Sequence, residues 1–315
     1  MDLIADIGAT NSRCALVAAD GQTLSARNFR NTEFTALDQL LGAFLDQAAS
    51  ATHPARAALA VAAPVTGDEV VMTNIGWRFE QPALARRLGL DQLLVLNDFE
   101  ALAHALPRLD AGDAFPCGAG RAVARTPMAV IGPGSGLGVA STVPADGGWI
   151  AVAGEGGHVS LPAFDETEAA IIAAHADANG HCSAERLLSG PGLVRIHATL
   201  TELRGQPSAA LTPAEVTARA VAGEAQAVRC LEIFFAMLGT VAGNLALTVG
   251  ARGGVFIAGG IVPRLLDAIE RSAFRERFVA RGRYRDYLDR IPTAVIVAEQ
   301  PAFIGLKSLL GYGEA

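Results

Sequence analysis

Lysine is almost absent from this 315-residue chain. Lys307 is the only lysine among the 25 Lys and Arg residues, so nearly every fixed positive charge is an arginine. The segment around it, Gly305-Leu306-Lys307-Ser308, lacks the glycine pattern of a Walker A loop. The sequence therefore excludes a nucleotide-binding P-loop of the Walker type, and it excludes a Schiff-base lysine elsewhere in the chain.

An excess of positive charge is also missing. The net charge is −7 and the pI is about 5.4, so the chain has no basic footprint for nucleic acid. An acidic protein that binds a polyphosphate must neutralise the anion locally. Backbone N–H groups, a helix terminus or a divalent metal can do this.

Long apolar runs, a basic N-terminal segment and paired cysteines are absent too. The longest apolar segment, 233–243, is far shorter than the ~20 residues of a membrane span, and it is predicted to be a buried helix. No signal peptide is recognisable, and the four cysteines show no CxxC spacing. These features predict a cytoplasmic protein with free thiols that does not enter a membrane.

The chain does contain enough apolar residues to fill two cores. Hydrophobic residues make up 51% of the sequence, and 315 residues exceed one typical core. A first α/β unit and a second unit are expected on either side of the Pro- and Gly-rich segment 107–126. Strands are predicted at 2–7, 13–19, 57–63, 93–96, 128–131, 139–142, 255–258 and 293–298, and helices at 33–50, 99–106, 212–248 and 302–310.

A tight turn lies between the first two predicted strands. Asp6 lies near the end of the first strand, and Gly8-Ala9-Thr10-Asn11 leads into the second. Glycine lets the backbone approach phosphate oxygens, and the carboxylate can hold a metal ion or its water shell. An ordinary hairpin turn has the same pattern, so both interpretations stay open for this segment alone.

A second glycine-rich turn, 132–138, also separates two predicted strands. It does not match the dinucleotide fingerprint, because Leu137 or Val139 stands where the third glycine is needed. This disfavours a Rossmann oxidoreductase, while a phosphate-facing turn with Ser135 as a donor remains open. Gly259-Gly260 follows another buried strand, where a close approach to a ligand and a simple strand-to-helix turn are both possible.

Asn97 and Asp98 stand where an apolar strand ends and a helix begins. Ligands of α/β sheets bind at that edge. Asp98 could serve as an N-cap, as a group that accepts a proton from a substrate hydroxyl, or as both.

Two histidines and two glutamates raise the question of a metal site. Glu155 and His158 lie in a glycine-rich loop, and His181 precedes Glu185 by four residues. Such a set could bind zinc. Loop residues of this kind are more often hydrogen-bonding partners of a sugar or of backbone, and that interpretation is favoured.

Together these segments resemble the bacterial glucokinase family, within the actin/hexokinase/Hsp70-like ATPase superfamily. The resemblance covers nearly the whole chain. The matching segments are 6–13, 62–68, 72–74, 97–99, 132–138, 154–158, 183–192 and 253–264.

The resemblance implies a two-domain actin-like α/β fold with an interdomain cleft. Residues 1–108 and 300–315 would form the small domain and 109–299 the large one. It also implies ATP and Mg²⁺ as cofactors, glucose as substrate and a homodimer.

The same resemblance implies residue roles. Asp98 would be the catalytic base for the sugar 6-hydroxyl, and Asp6 would hold Mg²⁺, directly or through water. Glucose would be bound by Asn97, Asp98, Glu155, His158 and Glu185, and ATP by Asp6, Ile7, Gly8, Ala9, Thr10, Asn11, Gly134, Ser135, Gly259 and Gly260.

Two departures and two alternatives accompany this hypothesis. Ala9 stands where the family usually has a second glycine, and its methyl group is expected either to tighten the turn or to shift the approach of the phosphate. The cysteine-rich zinc motif of the related ROK group is represented only by Cys182, which disfavours zinc. The alternatives are a kinase for mannose, fructose or an N-acetylhexosamine, and a non-enzymatic nucleotide switch or sugar sensor.

Overall fold

A computed structural model describes residues 1–48 and 53–312. The chain divides into two compact units, one formed by Met1–Leu109 with Glu299–Ala315 and the other by Asp110–Ala298. Each unit is built on its own mixed sheet.

In the first unit, strands and helices alternate after an initial hairpin. They are β1 (Asp2–Ile7), β2 (Asn11–Val17), β3 (Thr23–Arg30), α1 (Leu37–Ala48), β4 (Arg56–Val61), β5 (Glu69–Met72), β6 (Trp77–Glu80), α2 (Gln81–Arg87), β7 (Gln92–Asn97) and α3 (Asp98–Ala105). The main sheet has the order β3-β2-β1-β4-β7, with β1, β4 and β7 parallel. β1 and β4 lie in the centre of the sheet and are buried. This position explains why both are apolar runs in the sequence.

The predicted elements of this unit are present, with shifted ends. The helix predicted at 33–50 spans Leu37–Ala48, and residues 49 and 50 lie outside the described residues. The second strand starts at Asn11, two residues before its predicted start. Sequence reasoning missed β3, because its mostly exposed, polar residues do not form an apolar run.

The second unit contains a six-stranded sheet and a set of helices. They are β8 (Ala114–Pro116), β9 (Met128–Pro133), β10 (Leu137–Ala145), β11 (Gly148–Gly154), α4 (Glu166–Ala174), α5 (Ala184–Leu187), α6 (Gly190–Glu202), α7 (Pro213–Val221), α8 (Ala225–Val249), β12 (Gly254–Ile257), α9 (Leu266–Arg271), α10 (Phe274–Val279), α11 (Arg285–Asp289) and β13 (Thr293–Ile296). The sheet order is β11-β10-β9-β12-β13-β8.

The segment 107–126, predicted to have no regular structure, contributes a strand to this sheet. β8 pairs antiparallel with β13 at the sheet edge. A three-residue strand that ends in proline gives no periodic signal, and proline is tolerated at an edge. The second unit therefore includes residues before β9, since β8 already belongs to its sheet.

Helix α8 contains the apolar segment that the sequence predicts to be a buried helix. It is 25 residues long, and by length and composition it could cross a membrane, which the shorter apolar segment did not suggest. However, 78% of its most apolar window is buried inside the protein. The stretch 212–248, predicted to be helical, forms two helices: a capping box of Thr212 and Glu215 begins α7, and Gly223, with φ +85°, separates α7 from α8.

The last helix, α12 (Pro301–Leu309), returns to the first unit and packs against α3. A Cβ atom on Gly305 would lie only 1.8 Å from the carbonyl oxygen of Ala101, so only glycine permits this approach. Lys307 Nζ donates to the carbonyl of Gly21 at 2.9 Å, and Tyr312 donates to the Asp2 carboxylate at 2.6 Å. The C-terminal helix is therefore held on the first unit, where it packs closely against α3.

Candidate active site

Three parallel strands bring the predicted residues of the first unit to one edge. In the sheet register, Ile7 pairs with Val61 and Val61 with Asn97, so β1, β4 and β7 end at the same level. The turn after β1 and the start of α3 after β7 therefore lie along the same edge, where α/β sheets bind ligands.

The contacts in the first turn, residues 8–10, show which position requires glycine. The Gly8 N–H donates to the carbonyl of Asn11 at 3.1 Å, and a Cβ on Gly8 would lie 2.9 Å from that oxygen. Ala9 does not have a positive φ. Glycine is therefore needed at position 8 because of this close approach, and alanine is accommodated at position 9.

This turn leaves backbone donors unused. Among the residues described, none accepts a hydrogen bond from the N–H of Ala9 or Thr10. Thr10 and Asn11 are exposed, so the turn presents these donors at the surface of its unit. Successive free N–H groups in a tight turn form a concave anion-binding site.

Asn97 and Asp98 have different roles at the start of α3. The Asn97 side chain is the cap, since its Oδ1 accepts from the Phe99 N–H at 2.9 Å, while its Nδ2 donates to Ala63 O at 3.2 Å. Asp98 is the first helical residue, and its Oδ1 also accepts from the Phe99 N–H, at 3.0 Å. Asn97 is therefore the helix cap, and Asp98 is a second acceptor for the same N–H group.

The two aspartates at this edge have unusual electrostatics. Burial raises the pKa of Asp98 to about 7, and the nearby Asp6 adds to the rise, while hydrogen bonds from Phe99 oppose it. Burial also raises the pKa of Asp6, although Arg13 opposes this, with its Nη1 3.9 Å from Asp6 Oδ2. Asp98 can therefore gain or lose a proton near neutral pH.

The Asp98 pKa has a consequence for stability. Because its folded-state pKa lies above the unfolded value of 3.8, the folded protein loses stability as pH rises from about 4 to about 7, by up to about 4 kcal/mol. Asp98→Asn cannot ionise, so we expect its melting temperature to exceed that of the wild type at pH 8, with a smaller gap at pH 5. A gap of equal size at both pH values would contradict this, and the exposed Asp286→Asn is the control.

The second glycine turn is shorter than predicted. β9 extends through Pro133 and β10 begins at Leu137, so only residues 134–136 form the turn. Gly134 N–H donates to Gly136 O at 2.8 Å. Within the described part of the chain, the N–H groups of Ser135 and Gly136 have no acceptor, as in the first turn.

Two further predicted segments contact this second turn. The Glu185 Oε2 accepts from the Leu137 N–H at 2.9 Å, at the end of the turn. Gly259 has a φ of +85°, and a Cβ there would lie 2.4 Å from Pro133 O. The structure therefore brings Glu185 and Gly259-Gly260 to the same turn.

Glu155 and His158 join Glu185 beside β10. His158 Nε2 lies 3.8 Å from Glu155 Oε2 and 4.0 Å from Glu185 Oε1. The three side chains are 64%, 58% and 35% exposed, in the order Glu155, His158 and Glu185. These distances leave the polar atoms free to bind a ligand with several hydroxyl groups.

Glycine brings this set close to the second turn. A Cβ on Gly157 would lie 2.1 Å from Leu137 O, so the loop packs directly on β10. The backbone of His181, the other histidine of the possible zinc set, pairs with Asp177: its N–H donates to Asp177 Oδ1 and its carbonyl accepts from the Asp177 N–H. Across residues 1–48 and 53–312, no group of three or more His, Cys, Asp or Glu side chains is arranged to hold a metal ion.

The second unit contains a cavity of about 660 Å³, and residues that follow Gly260 in the sequence line part of it. Sequence reasoning did not predict it, because its walls come from α7, α8, α9 and the turn after β12. Residues that line it include Val221, Val228, Phe235, Pro263, Leu266 and Arg271.

Sequence reasoning also missed Asn31, which holds the first turn. Its Nδ2 donates to Gly8 O at 2.8 Å. No motif marks this residue, and only the pairing of β3 with β2 brings it to the turn.

The chain is similar to known proteins along nearly its whole length. A family model described as Glucokinase matches residues 3–311. A glucokinase of Nitrobacter hamburgensis is 45% identical over 308 residues, which cover 98% of this chain and 96% of that protein. The crystal structure of a glucokinase from an Antarctic psychrotroph has a TM-score of 0.87 at 33% identity, and 98% of each chain is covered.

A more distant solved structure shows the same fold. It is a ROK family glucokinase from Streptomyces griseus in complex with glucose and AMPPNP, with a TM-score of 0.68 at 20% identity and 98% of each chain covered. The predicted two-domain actin-like ATPase fold is thereby confirmed, as is the family resemblance. A match along nearly the whole chain and 45% identity to a glucokinase lead to one conclusion: this chain belongs to the glucokinase family.

Proposed function

We propose that this protein catalyses the ATP- and Mg²⁺-dependent phosphorylation of D-glucose to glucose 6-phosphate, the first step of glycolysis. The proposal depends chiefly on the position and the pKa of Asp98. This carboxyl group has a pKa of about 7, and it lies at the same sheet edge as the first turn, whose backbone N–H groups are free. Membership of the glucokinase family supports the choice of glucose.

The backbone donors of the two turns suit ATP. The N–H groups of Ala9 and Thr10, and those of Ser135 and Gly136, would each donate to phosphate oxygens. Such donors need no lysine, which fits a chain with only one. Gly259-Gly260 would lie near the adenosine, and the cavity beyond it, beside Pro263, offers about 660 Å³ for the nucleoside.

Asp6 fits a hydrated Mg²⁺ ion. Its carboxyl group forms a long ion pair with Arg13, at 3.9 Å, and burial raises its pKa. A cation nearby would favour the ionised carboxylate and would remove part of the repulsion that Asp98 experiences. When bound with ATP, Mg²⁺ screens the phosphate charge.

Asp98 would act as the catalytic base. It would accept the proton of the sugar 6-hydroxyl as that oxygen attacks the γ-phosphorus, and ADP would leave. A pKa near the working pH suits this role, because the group is partly ionised and still basic enough to accept a proton. Phosphoryl transfer of this kind depends on positioning and charge stabilisation, so we propose no covalent phosphoenzyme.

The remaining polar residues would recognise the sugar. Asn97, Asp98, Glu155, His158 and Glu185 supply amide, carboxylate and imidazole groups that can pair with several hydroxyls. A site built this way rejects a sugar that lacks one of these hydroxyls, because its own polar groups are then left unpaired.

A coupled assay of sugar phosphorylation with ATP and Mg²⁺ tests the proposal. We expect kcat/KM for glucose to exceed the values for mannose, fructose and N-acetylglucosamine. A preference for another sugar by orders of magnitude would establish the alternative hexose kinase. Absence of turnover on all four sugars would refute the kinase function. Replacing ATP with ADP or polyphosphate in the same assay identifies the phosphoryl donor.

Glu155→Gln and His158→Gln should weaken glucose binding. Each substitution removes a side chain, a carboxylate or an imidazole, that would hydrogen-bond to the sugar. We therefore expect the glucose Kd to rise about tenfold or more. Titration calorimetry with glucose measures this. Glu202→Gln, an exposed change at the end of α6, is the matched control. An unchanged Kd in both variants would remove these residues from the proposed sugar site.

The family resemblance also predicts a homodimer. Sedimentation velocity of the purified protein measures this directly, and a single monomeric species would refute it.

A further inference from the structure

Asn31 is a buried polar residue outside every motif used above. It follows β3 and begins a short 3-10 helix, Asn31–Glu33, and only 3% of its surface is exposed. A buried amide side chain must be hydrogen-bonded, since leaving it unpaired is costly. Its side-chain nitrogen and its backbone N–H both donate to carbonyl groups of the first turn.

Three hydrogen bonds connect Asn31 to the first turn and to its flanking strand. Its side-chain Nδ2 donates to Gly8 O at 2.8 Å, and its backbone N–H donates to Thr10 O at 3.0 Å. Its Oδ1 accepts from Ser12 Oγ at 2.7 Å, and Ser12 is fully buried. Asn31 therefore donates to the carbonyl groups of the first and the last residue of the turn.

Holding the Gly8 carbonyl also fixes a donor. The carbonyl of Gly8 and the N–H of Ala9 belong to one planar trans peptide, so they point in opposite directions. When Asn31 fixes the oxygen, it also fixes the direction of the Ala9 N–H, which no described residue accepts. The turn itself contributes one further backbone hydrogen bond, from the Gly8 N–H to Asn11 O at 3.1 Å.

We propose that Asn31 is a positioning residue that directs the Ala9 N–H toward a phosphate oxygen of the nucleotide. The inference rests on the proposed phosphate-binding role of the first turn. It assigns Asn31 the function that Glu185 has in the second turn, where its carboxylate accepts from the Leu137 N–H. In both turns, a side chain that is distant in sequence holds the backbone and leaves two N–H groups free.

The test separates positioning from simple stabilisation. Asn31→Leu removes the bond to Gly8 O but also leaves Ser12 unpaired, so it lowers the melting temperature as well. The double variant Ser12→Ala/Asn31→Leu removes both partners of the buried side-chain bond, and it should recover part of that loss. Ser12→Ala alone keeps the bond to Gly8 O and is the control. In all three proteins we measure the melting temperature, KM for ATP, kcat and the glucose Kd.

We expect KM for ATP to rise about ten- to a hundredfold in both Asn31→Leu proteins, since a small displacement of a binding group has effects of this size. The glucose Kd should stay within about twofold of the wild type, and Ser12→Ala should keep its KM for ATP. If the double variant has the wild-type KM for ATP, Asn31 only stabilises the fold and the inference is refuted. If Asn31→Leu is too unstable to assay, the double variant alone decides. A wild-type protein without glucose phosphorylation would instead refute the proposed function.

Discussion

Asp98→Asn is expected to bind glucose normally and to lose turnover by about 10²- to 10⁴-fold, the usual contribution of a general base. Asparagine has the shape of aspartate and keeps the oxygen that accepts from the Phe99 N–H, so the start of α3 should not move. It cannot accept the proton of the 6-hydroxyl. The coupled assay measures kcat, and calorimetry measures the glucose Kd of the same preparation.

A neighbouring acid provides the control for this variant. Glu100 lies two residues further along α3, is half-buried, and its pKa is also raised by burial. We expect Glu100→Gln to retain kcat within about twofold, because burial alone does not make a carboxyl group a base. If Asp98→Asn keeps near-normal turnover, Asp98 is not the base. If it loses glucose binding together with turnover, its role is to hold the sugar.

The first turn was predictable because its signal is local. Asp6 lies one residue before the end of an apolar strand, Gly8 opens the turn, and a second strand begins at Asn11. The sequence alone did not show which of positions 8 and 9 requires glycine. Whether a position needs glycine depends on its φ angle and its neighbours, and the contact that requires glycine is between Gly8 and Asn11 O.

The electrostatics of the site could not be predicted from the sequence. The raised pKa of Asp98 depends on its burial and on Asp6, which is brought near it only by the β1-β4-β7 register. Asn31 reaches the first turn because β3 pairs with β2, and β3 has no apolar pattern that would predict it. Such contacts between distant segments follow from the assembled sheet, whereas turns and capping boxes follow from adjacent residues.

Glu168→Ala is expected to destabilise the second unit by about 3–5 kcal/mol, because it leaves a buried guanidinium without its partner. Glu168 and Arg277 are 1% and 6% exposed, and they form two parallel hydrogen bonds of 2.6 and 3.0 Å. The pair connects α4 with α10, and Arg277 also donates to Thr240 of α8 at 2.8 Å. Urea unfolding of the wild type and the variant measures the difference in free energy.

The loss should come from the unpaired charge, which a double variant can test. Glu168→Leu/Arg277→Met removes both charges, and we expect it to recover much of the stability that Glu168→Ala loses, because buried ion pairs are often replaceable by apolar residues of similar size. Arg219 and Glu224, 3.6 Å apart and 45% and 43% exposed, form the control pair. Breaking that exposed pair with Glu224→Ala should cost about 0–1 kcal/mol. If the double variant is as unstable as Glu168→Ala, the packing and hydrogen bonds of these side chains matter more than the balance of charge. Neither residue belongs to the proposed sugar or ATP sites, so kcat well below the unfolding temperature should stay at the wild-type value in every one of these variants.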